Sequence, residues 1–190
     1  MSDSNRFSLV CHATIDSAVL PNLPSSSAYV KATVVAGPTW ERVRCSNTSV
    51  TDTAEVMSQL AEVTPGLALY TWNVPVSYTA TAPSPSGWPQ LCLAVCSIAG
   101  NVDTVLGYGW CHLPMSNGRH KQRVKLVRPR HPPPLLSFLG SVEGPAPELR
   151  DYTWVARGEF REVVFLETLM GHVEVTMDVL LRNTHLVGLD

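Results

Sequence analysis

Charged side chains are scarce in this chain of 190 residues. Lys, Arg, Asp and Glu together make up 16% of it, and the formal net charge is −2. Without an overall positive charge the protein lacks the long-range attraction that draws proteins to nucleic acid. Scarce charge also leaves much weakly polar surface, which indicates that partners cover part of the exterior.

Long apolar runs are also missing. No stretch approaches the ~18 consecutive apolar residues of a membrane-spanning helix, and the polar start, residues 1–6, is not a secretory signal. Five cysteines, an odd number, fit a reducing compartment better than a disulfide framework. We therefore expect a cytosolic protein.

Metal-binding patterns are not found. On one strand, Cys92 and Cys96 would lie roughly 13 Å apart, too far to share a zinc ion. Cys111 and His112 are adjacent, so on a strand they point to opposite faces. Calcium sites need several converging carboxylates, and the candidate aspartates instead occur singly, at Asp16, Asp52, Asp103 and Asp151. We expect neither a metal nor a cofactor.

Catalytic motifs are missing as well. The chain has no Gly-x-Ser-x-Gly elbow and no His-Glu-x-x-His pattern. Gly107-Tyr108-Gly109 lacks the third glycine of a phosphate-binding loop, so it predicts a bulge or close backbone packing within a strand. No sequence motif places a nucleophile or a carboxylate beside His112 or His120. We predict no catalytic residue and no enzymatic activity.

The apolar pattern is that of strands. Alternation with a period of two runs through residues 7–15, 74–80 and 173–179, and residues 29–35 and 163–166 are further candidates. Residues 91–95 are apolar on both faces, which predicts a central strand that is covered on both sides. Fifteen prolines disfavour long helices. This pattern predicts an all-β antiparallel sandwich with short helical turns in its loops.

The organisation is that of one domain, residues 7–190, after a short polar tail, residues 1–6. Turn-forming residues occupy 21–27, 83–87 and 117–118. Residues 46–65 and the proline-rich 128–147 look like insertions. Within them, 54–61 and 134–139 are predicted to form a helical turn or two.

A basic segment is the strongest electrostatic feature. It holds six cations and no acid, at Arg119, Lys121, Arg123, Lys125, Arg128 and Arg130. On a strand, Lys121, Arg123 and Lys125 share one face, and Val124 and Leu126 face the core. Two interpretations stay open: an ordinary solvated face, or contact with anionic lipid headgroups or an acidic partner. Nucleic acid is a poorer third option because no aromatic residues are interleaved.

Several short motifs resemble the B9 domain family, in the family's order and from about residue 7 onward. They are Trp72-Asn73-Val74-Pro75, Gly87-Trp88-Pro89-Gln90-Leu91, Gly107-Tyr108-Gly109, His112-Leu113-Pro114, Gly118-Arg119-His120-Lys121, Gly158-Glu159-Phe160-Arg161-Glu162-Val163 and Leu186-Val187-Gly188-Leu189-Asp190. The residues expected to be structural are Trp72, Pro75, Gly87, Trp88, Pro89, Gly107, Tyr108, Gly109, His112, Pro114, Gly118 and His120. Two of the motifs, those beginning at Gly118 and Gly158, are most similar to one of the family's three paralogues.

The resemblance implies a sandwich of the C2-domain type without the calcium-binding aspartates. It also implies a subunit of the Meckel syndrome (tectonic-like) complex at the ciliary transition zone and basal body, on the cytoplasmic side. The implied partners are the other two B9-domain proteins, in a hetero-oligomer, and tectonic-type and other transmembrane proteins. The function expected on this basis is a non-enzymatic scaffold that is apposed to membrane. It would be needed for cilium assembly and for control of which membrane proteins enter the cilium. The alternative is a calcium-independent module that binds anionic lipid, such as phosphoinositide, through the basic strand.

Overall fold

The part of the chain that the structure describes forms nine antiparallel strands. The computed structural model describes residues 6–21, 27–43, 54–64, 67–99, 102–129, 147–156 and 166–188. The strands are β1 (Phe7–Pro21), β2 (Ser27–Val35), β3 (Glu41–Arg42), β4 (Ala54–Thr64), β5 (Leu67–Ala82), β6 (Gln90–Ala99), β7 (Val102–His112), β8 (Gly118–Pro129) and β9 (Leu166–Arg182). The helices among these residues are two short 3-10 helices, Tyr152–Ala156 and Thr184–Val187, and neither has the length or apolar character to cross a membrane. The predicted all-β antiparallel class is confirmed.

The strands close into a ring. Its order is β1-β9-β8-β7-β6-β2-β4-β5, and β5 then pairs with β1, while the two-residue β3 also pairs with β5. Pairing is thin at two corners: β7 and β8 pair only at Tyr108 and Val127, and β4 meets β5 only near its end. The ring is therefore flattened into two layers, called here the β1 layer (β3, β5, β1, β9, β8) and the β6 layer (β4, β2, β6, β7).

The core lies between the two layers. Along β5, every second residue from Ala68 to Ala82 is buried. β1 alternates in the same way up to its bulge at Asp16, and β9 does so from Val173 onward except at the buried Thr176. The predicted double cover of residues 91–95 is confirmed. Leu91, Leu93 and Val95 belong to the main core, whereas Ala94 packs outward with Tyr108 and with Val155 of the first 3-10 helix.

The helical turn predicted for residues 54–61 is wrong, because these residues form most of β4. This strand pairs with β2 on one side and with β5 on the other, so backbone pairing outweighs a weak helical pattern. Residues 54–64 are therefore part of the ring and not a surface insertion. The second helical turn, at 134–139, lies outside the described residues, as do Asp52, Arg130, the whole Gly158–Val163 motif and the last two residues.

The tail predicted for residues 1–6 includes one residue that joins the fold. The Arg6 guanidinium lies 2.9 Å from Glu41 Oε1 and donates a hydrogen bond of 3.2 Å to the Thr81 carbonyl. These contacts tie the start of β1 to β3 and β5.

Candidate functional site

The basic segment forms strand β8 at the border of the β1 layer. Arg119, Lys121, Arg123 and Lys125 are exposed, and Val124 and Leu126 are buried at 2% and 0% exposure. The strand has the alternation that its sequence predicts, because β8 packs one face on the core and turns the other to solvent.

Acidic residues of β9 lie directly beside three of these cations. Arg119 pairs with Asp178 at 3.9 Å, Arg123 with Glu174 at 3.1 Å, and Arg128 with Glu167. These residues are cross-strand neighbours in the register of β8 and β9, the position in which opposite charges stabilise a sheet. The patch that the sequence predicts is therefore largely neutralised along its arginines.

Two lysines remain without an acidic partner among the described residues. Lys121 lies opposite Thr176 and Lys125 lies opposite His172. His172 Nε2 is 3.6 Å from Glu174 Oε1, the same oxygen that Arg123 contacts. The sequence places all six cations in one group. The structure separates Lys121 and Lys125 from the paired arginines and leaves Arg130 undescribed.

The acids of β9 are functional neighbours that sequence reasoning did not connect to the basic segment. The alternation of Glu174, Thr176 and Asp178 is visible in the sequence. Matching this acidic alternation to the basic alternation of β8 is the signal that predicts the pairing, since opposite charges favour facing positions on adjacent strands.

The tryptophan of the Gly87-Trp88-Pro89 motif connects the turn after β5 to the core. Trp88 is 5% exposed, and its indole N–H donates a hydrogen bond of 2.8 Å to the Leu113 carbonyl. Leu113 N–H donates in turn to the Pro89 carbonyl. The motif and the later His112-Leu113-Pro114 motif are therefore two halves of one contact.

An aromatic cluster completes this corner. The Trp88 ring stacks on Phe7 with centroids 6.0 Å apart, and Trp40 meets both rings edge-on at 5.2 Å. Gly37 N–H donates to the Gly87 carbonyl at 2.8 Å, and Trp40 Nε1 donates to the Ser86 carbonyl at 3.0 Å. Edge-on and offset aromatic pairs of this kind stabilise cores beyond their buried area.

The Trp72-Asn73-Val74-Pro75 motif forms a bulge in β5. Between Thr71 and Val74, two residues of β5 stand opposite the single Asp16 of β1, and Asn73 takes a φ of 53°, a left-handed angle that Asn tolerates better than most residues. Trp72 is buried, and its indole N–H donates to the Ala28 carbonyl of β2 at 3.2 Å. Pro75 lies on the outer, exposed side of the strand.

The two glycines of Gly107-Tyr108-Gly109 allow β8 to lie close to β7. A Cβ at Gly109 would be 2.8 Å from Val124 Cγ1, and one at Gly107 would be 2.6 Å from Leu169 Cδ1. Between them, the Tyr108 hydroxyl accepts a hydrogen bond of 2.8 Å from Leu149 N–H. The motif therefore joins the two layers at the corner where backbone pairing is thinnest.

The turn between β7 and β8 is held by polar contacts. Gly118 has a φ of 118°, and the Asn117 side-chain oxygen accepts a hydrogen bond from Leu181 N–H. His120 Nε2 is 2.9 Å from the Ser116 carbonyl. Pro114 is buried and His112 is exposed. None of these positions brings a nucleophile and a base together.

Each described aspartate outside β9 accepts a hydrogen bond, and the three lie in different parts of the fold. Asp16 accepts a hydrogen bond from the Thr176 hydroxyl at 2.6 Å, Asp103 accepts from Tyr29 at 3.0 Å, and Asp151 accepts from Thr153. Within the described ranges, no group of His, Cys, Asp or Glu side chains has the arrangement of a metal site.

Burial makes the thiols of Cys11, Cys96 and Cys111 less reactive. It raises the pKa of Cys11 and of Cys111 to about 12, and it raises the pKa of Cys96 despite the Tyr29 hydroxyl nearby. Because the thiolate is the reactive form, these cysteines are poor nucleophiles at neutral pH. They serve as small core residues.

A pocket of about 270 Å³ lies on the outer side of the β6 layer, beneath residues 148–152. Lys31 and Arg150 line it together with Asp103 and Glu148. The carboxylate of Glu148 accepts a hydrogen bond from Val105 N–H at 3.2 Å. These contacts hold residues 148–152 against the sheet, and the mixed charges converge on no single ligand chemistry.

Comparison with known proteins supports the resemblance read from the motifs. A protein-family model, "B9-C2: Ciliary basal body-associated, B9 protein", matches residues 9–180. Human B9 domain-containing protein 1 is 31% identical over 186 residues, which cover 97% of this chain and 86% of the human protein. The Xenopus laevis protein of that name is 31% identical over 185 residues, covering 96% of this chain and 88% of its own length.

More distant matches follow. The Drosophila melanogaster protein of the same name is 26% identical over 153 residues, which cover 76% of this chain and 61% of the fly protein. Among solved structures, one titled "Structure of a C2 domain" aligns with a TM-score of 0.38 and 10% identity, covering 90% of this chain and 97% of that chain.

The predicted family resemblance is thus confirmed, and similarity to one paralogue, B9 domain-containing protein 1, extends over nearly the whole chain. Since the family model spans residues 9–180 and two vertebrate relatives reach 31% identity, this chain belongs to the B9 family of ciliary basal body-associated proteins.

Proposed function

We propose that this protein is a non-enzymatic scaffold subunit at the base of the cilium. It holds the other B9-domain proteins and tectonic-type transmembrane proteins of the transition zone in one complex apposed to membrane. Through that complex it contributes to cilium assembly and to control of membrane-protein entry. The observation that carries the proposal is the match to B9 domain-containing protein 1 over 97% of the chain.

Two features of the fold support a role in binding. Burial raises the pKa of the Cys11, Cys96 and Cys111 thiols. A thiol nucleophile is activated by the opposite change, a lowered pKa. The described aspartates outside β9 accept hydrogen bonds at separate places. What the described residues offer instead is a two-layered arrangement of strands whose outer faces are available as surface.

The ring of strands favours binding through faces over binding through edges. A free strand edge is a natural template for an added strand. Here each of the eight ring strands pairs with a neighbour on both sides, and the main unpaired backbone lies along the thin β7–β8 corner. Scaffold contacts therefore use mainly the outer faces of the two layers.

Co-expression with the two sister B9 proteins tests the proposal. A tagged copy of this chain is purified and its co-elution with both sisters is followed by size exclusion. One stable peak that contains all three proteins is expected. A chain that elutes alone after co-expression with either or both sisters would rule the scaffold role out.

Anionic lipid is a second candidate, favoured by the two free lysines of β8. Each cation near an anionic leaflet contributes about 1 kcal/mol. Lys121 and Lys125 are exposed and without an acidic partner among the described residues, whereas Arg119, Arg123 and Arg128 already lie beside carboxylates. Binding by the two lysines would thus supplement protein contacts with about 2 kcal/mol.

Vesicle flotation separates this candidate from the first. We expect weak binding to vesicles rich in phosphatidylserine and loss of that binding in the Lys121→Glu/Lys125→Glu variant. The control, Arg150→Glu/Arg182→Glu, changes two exposed cations by the same charge and should bind as the parent chain does. Equal binding by both variants, or no binding by the parent chain, removes the lipid candidate and leaves the scaffold proposal untouched.

A further inference from the structure

Two neighbouring strands of the β1 layer, β1 and β5, have no long charged side chains on their outer face, in contrast to β8 and β9. Along β1 and β5, the residues that alternate with the buried ones include no Lys, Arg or Glu. On β1 they are Ser8, Val10, His12, Thr14, Asp16, Ser17 and Val19, and on β5 they are Leu67, Leu69, Thr71, Asn73, Pro75, Ser77, Thr79 and Thr81. Solvated sheet faces normally carry Lys and Glu, which resist burial and keep proteins apart.

Apolar side chains also remain exposed on this face. Leu180 of β9 is 44% exposed, and Val43, which follows β3, is 46% exposed. Val10 of β1 pairs with Leu180 of β9 on one side and with Thr79 of β5 on the other. The Val43 N–H donates a hydrogen bond to the Thr79 carbonyl. Val43 and Leu180 therefore belong to one row that runs across the strands. The outer face of the β6 layer differs, because the first 3-10 helix packs Val155 against Ala94 and Tyr108 there.

Two further rows continue the face along β1 and β9. His12 stands opposite Asp178, and Thr14 stands opposite Thr176. In successive rows β1 and β9 therefore present an apolar pair and a His–Asp pair, and the third row pairs Thr14 with Thr176, which is buried at 5% exposure. If a second copy places its β1 over β9 and its β9 over β1, each residue in these rows meets the residue that it stands opposite in its own chain.

We propose that two copies of this chain associate through the outer face of the β1 layer, about a two-fold axis that runs parallel to β1 and β9 and passes between them. Rotation about such an axis lays β1 of one copy over β9 of the other and keeps every row over itself. Val10 then meets Leu180 of the second copy, and His12 meets its Asp178. A contact of this kind is isologous and closes at two copies.

The charges of the flanking strands tolerate this arrangement. β8 of one copy lies over β5 of the other, whose outward residues are uncharged. Lys121, Lys125 and the ion pairs of Arg119 and Arg123 therefore form a polar rim at the border of the layer. Arg182, opposite Ser8, lies at the end of the face. In this arrangement Asp16 of one copy approaches Glu174 of the other. Both are already bound, Asp16 by the Thr176 hydroxyl and Glu174 by Arg123.

The size of the face is sufficient for a stable dimer. Four strands spaced ~4.8 Å apart and about 12 residues long cover roughly 800 Å², the area that each partner contributes to a standard interface. Ser, Thr and Val lose less side-chain entropy on burial than Lys or Glu. The area and the low entropy cost both favour a second flat face as the occupant.

This inference goes beyond the scaffold role, and the isolated full-length chain tests it. Size exclusion with light scattering over a range of concentrations should show a mass rising toward twice 20.7 kDa. Val10→Lys buries two unpaired ammonium groups per dimer and should weaken the dimer by at least ~100-fold. The control Thr104→Lys, at an exposed position of β7, should leave the dimer intact.

A charge exchange at two exposed positions tests the predicted row directly, and urea unfolding of each variant checks that the chain still folds. His12→Asp places an acid over Asp178 of the second copy and should weaken association, and adding Asp178→His should restore it. A chain that is monomeric at every concentration, or a dimer that tolerates both Val10→Lys and His12→Asp, would overturn the inference. Co-elution with sister B9 proteins by such a monomer would leave the scaffold proposal standing.

Discussion

Gly87 and Gly188 have nearly the same backbone angle in different surroundings. Their φ angles are 68° and 69°, values that side chains other than glycine adopt only at a cost of about 1 kcal/mol or more. A Cβ at Gly87 would be 2.6 Å from the Gly37 Cα, whereas a Cβ at Gly188 would have no atom within 4 Å. The pair therefore separates the cost of the angle from the cost of a backbone clash.

We predict that Gly87→Ala lowers the free energy of unfolding by about 3 kcal/mol and Gly188→Ala by about 1 kcal/mol. Both variants incur the angle cost, but only Gly87→Ala must also push Gly37 away and weaken the hydrogen bond between them. Urea unfolding of both variants measures the difference. Equal losses would mean that the backbone contact at Gly37 contributes nothing.

At the level of elements, β6 and β7 should differ in how readily they open. Residues 91–97 of β6 are buried, and β6 pairs with β2 and β7 along its length. Strand β7 pairs fully only with β6. On its other side the Val105 N–H is capped by the exposed Glu148 carboxylate. Local opening begins where such cover is thin.

We predict that the Leu93 amide exchanges with solvent only through global unfolding and that the Val105 amide exchanges faster. In Glu148→Ala the Val105 rate should rise about fivefold or more, the effect of losing a hydrogen bond worth about 1 kcal/mol. The control Arg150→Ala should leave it unchanged. Hydrogen exchange followed by NMR gives both rates, and an unchanged Val105 rate in Glu148→Ala would show that the carboxylate does not protect this edge.

Elements with strict alternation could be predicted from the sequence, and those held by distant partners could not. β1, β5 and β9 show their period of two directly, and β6 shows its double cover as an unbroken apolar run. β4 lacks a comparable signal because its place depends on pairing with β2 and β5. The same limit applies to the candidate site, since neutralisation of Arg119 and Arg123 depends on acids more than fifty residues away.

The molecule as a whole joins its two layers through a core that contains thiols from both. Cys11 comes from β1 and Cys111 from β7, and burial raises the pKa of each to about 12 from an ordinary value of 9.0. The raised pKa means that the folded state holds the neutral thiol. Its contribution is complete below pH 9 and is lost as pH rises above 9 toward 12.

We therefore predict that the free energy of unfolding falls by about 2 kcal/mol between pH 9 and 10, with about 1 kcal/mol from each thiol. Tyrosines add to the loss only above their ordinary pKa of about 10. Urea unfolding at pH 8, 9 and 10 measures the slope, and Cys11→Ala should reduce it by about half. A stability that stays level from pH 8 to 10 would contradict the burial of these thiols.

Ring closure also affects the order in which the molecule can be made. β1 leaves the ribosome first among the described strands, yet it pairs with β5 and with β9, the last of them. Until β9 emerges, one hydrogen-bonding edge of β1 has no native partner. Until then the sheet stays open and is prone to wrong pairing, and a chaperone or an assembly partner present at that stage would improve the yield of correctly folded protein.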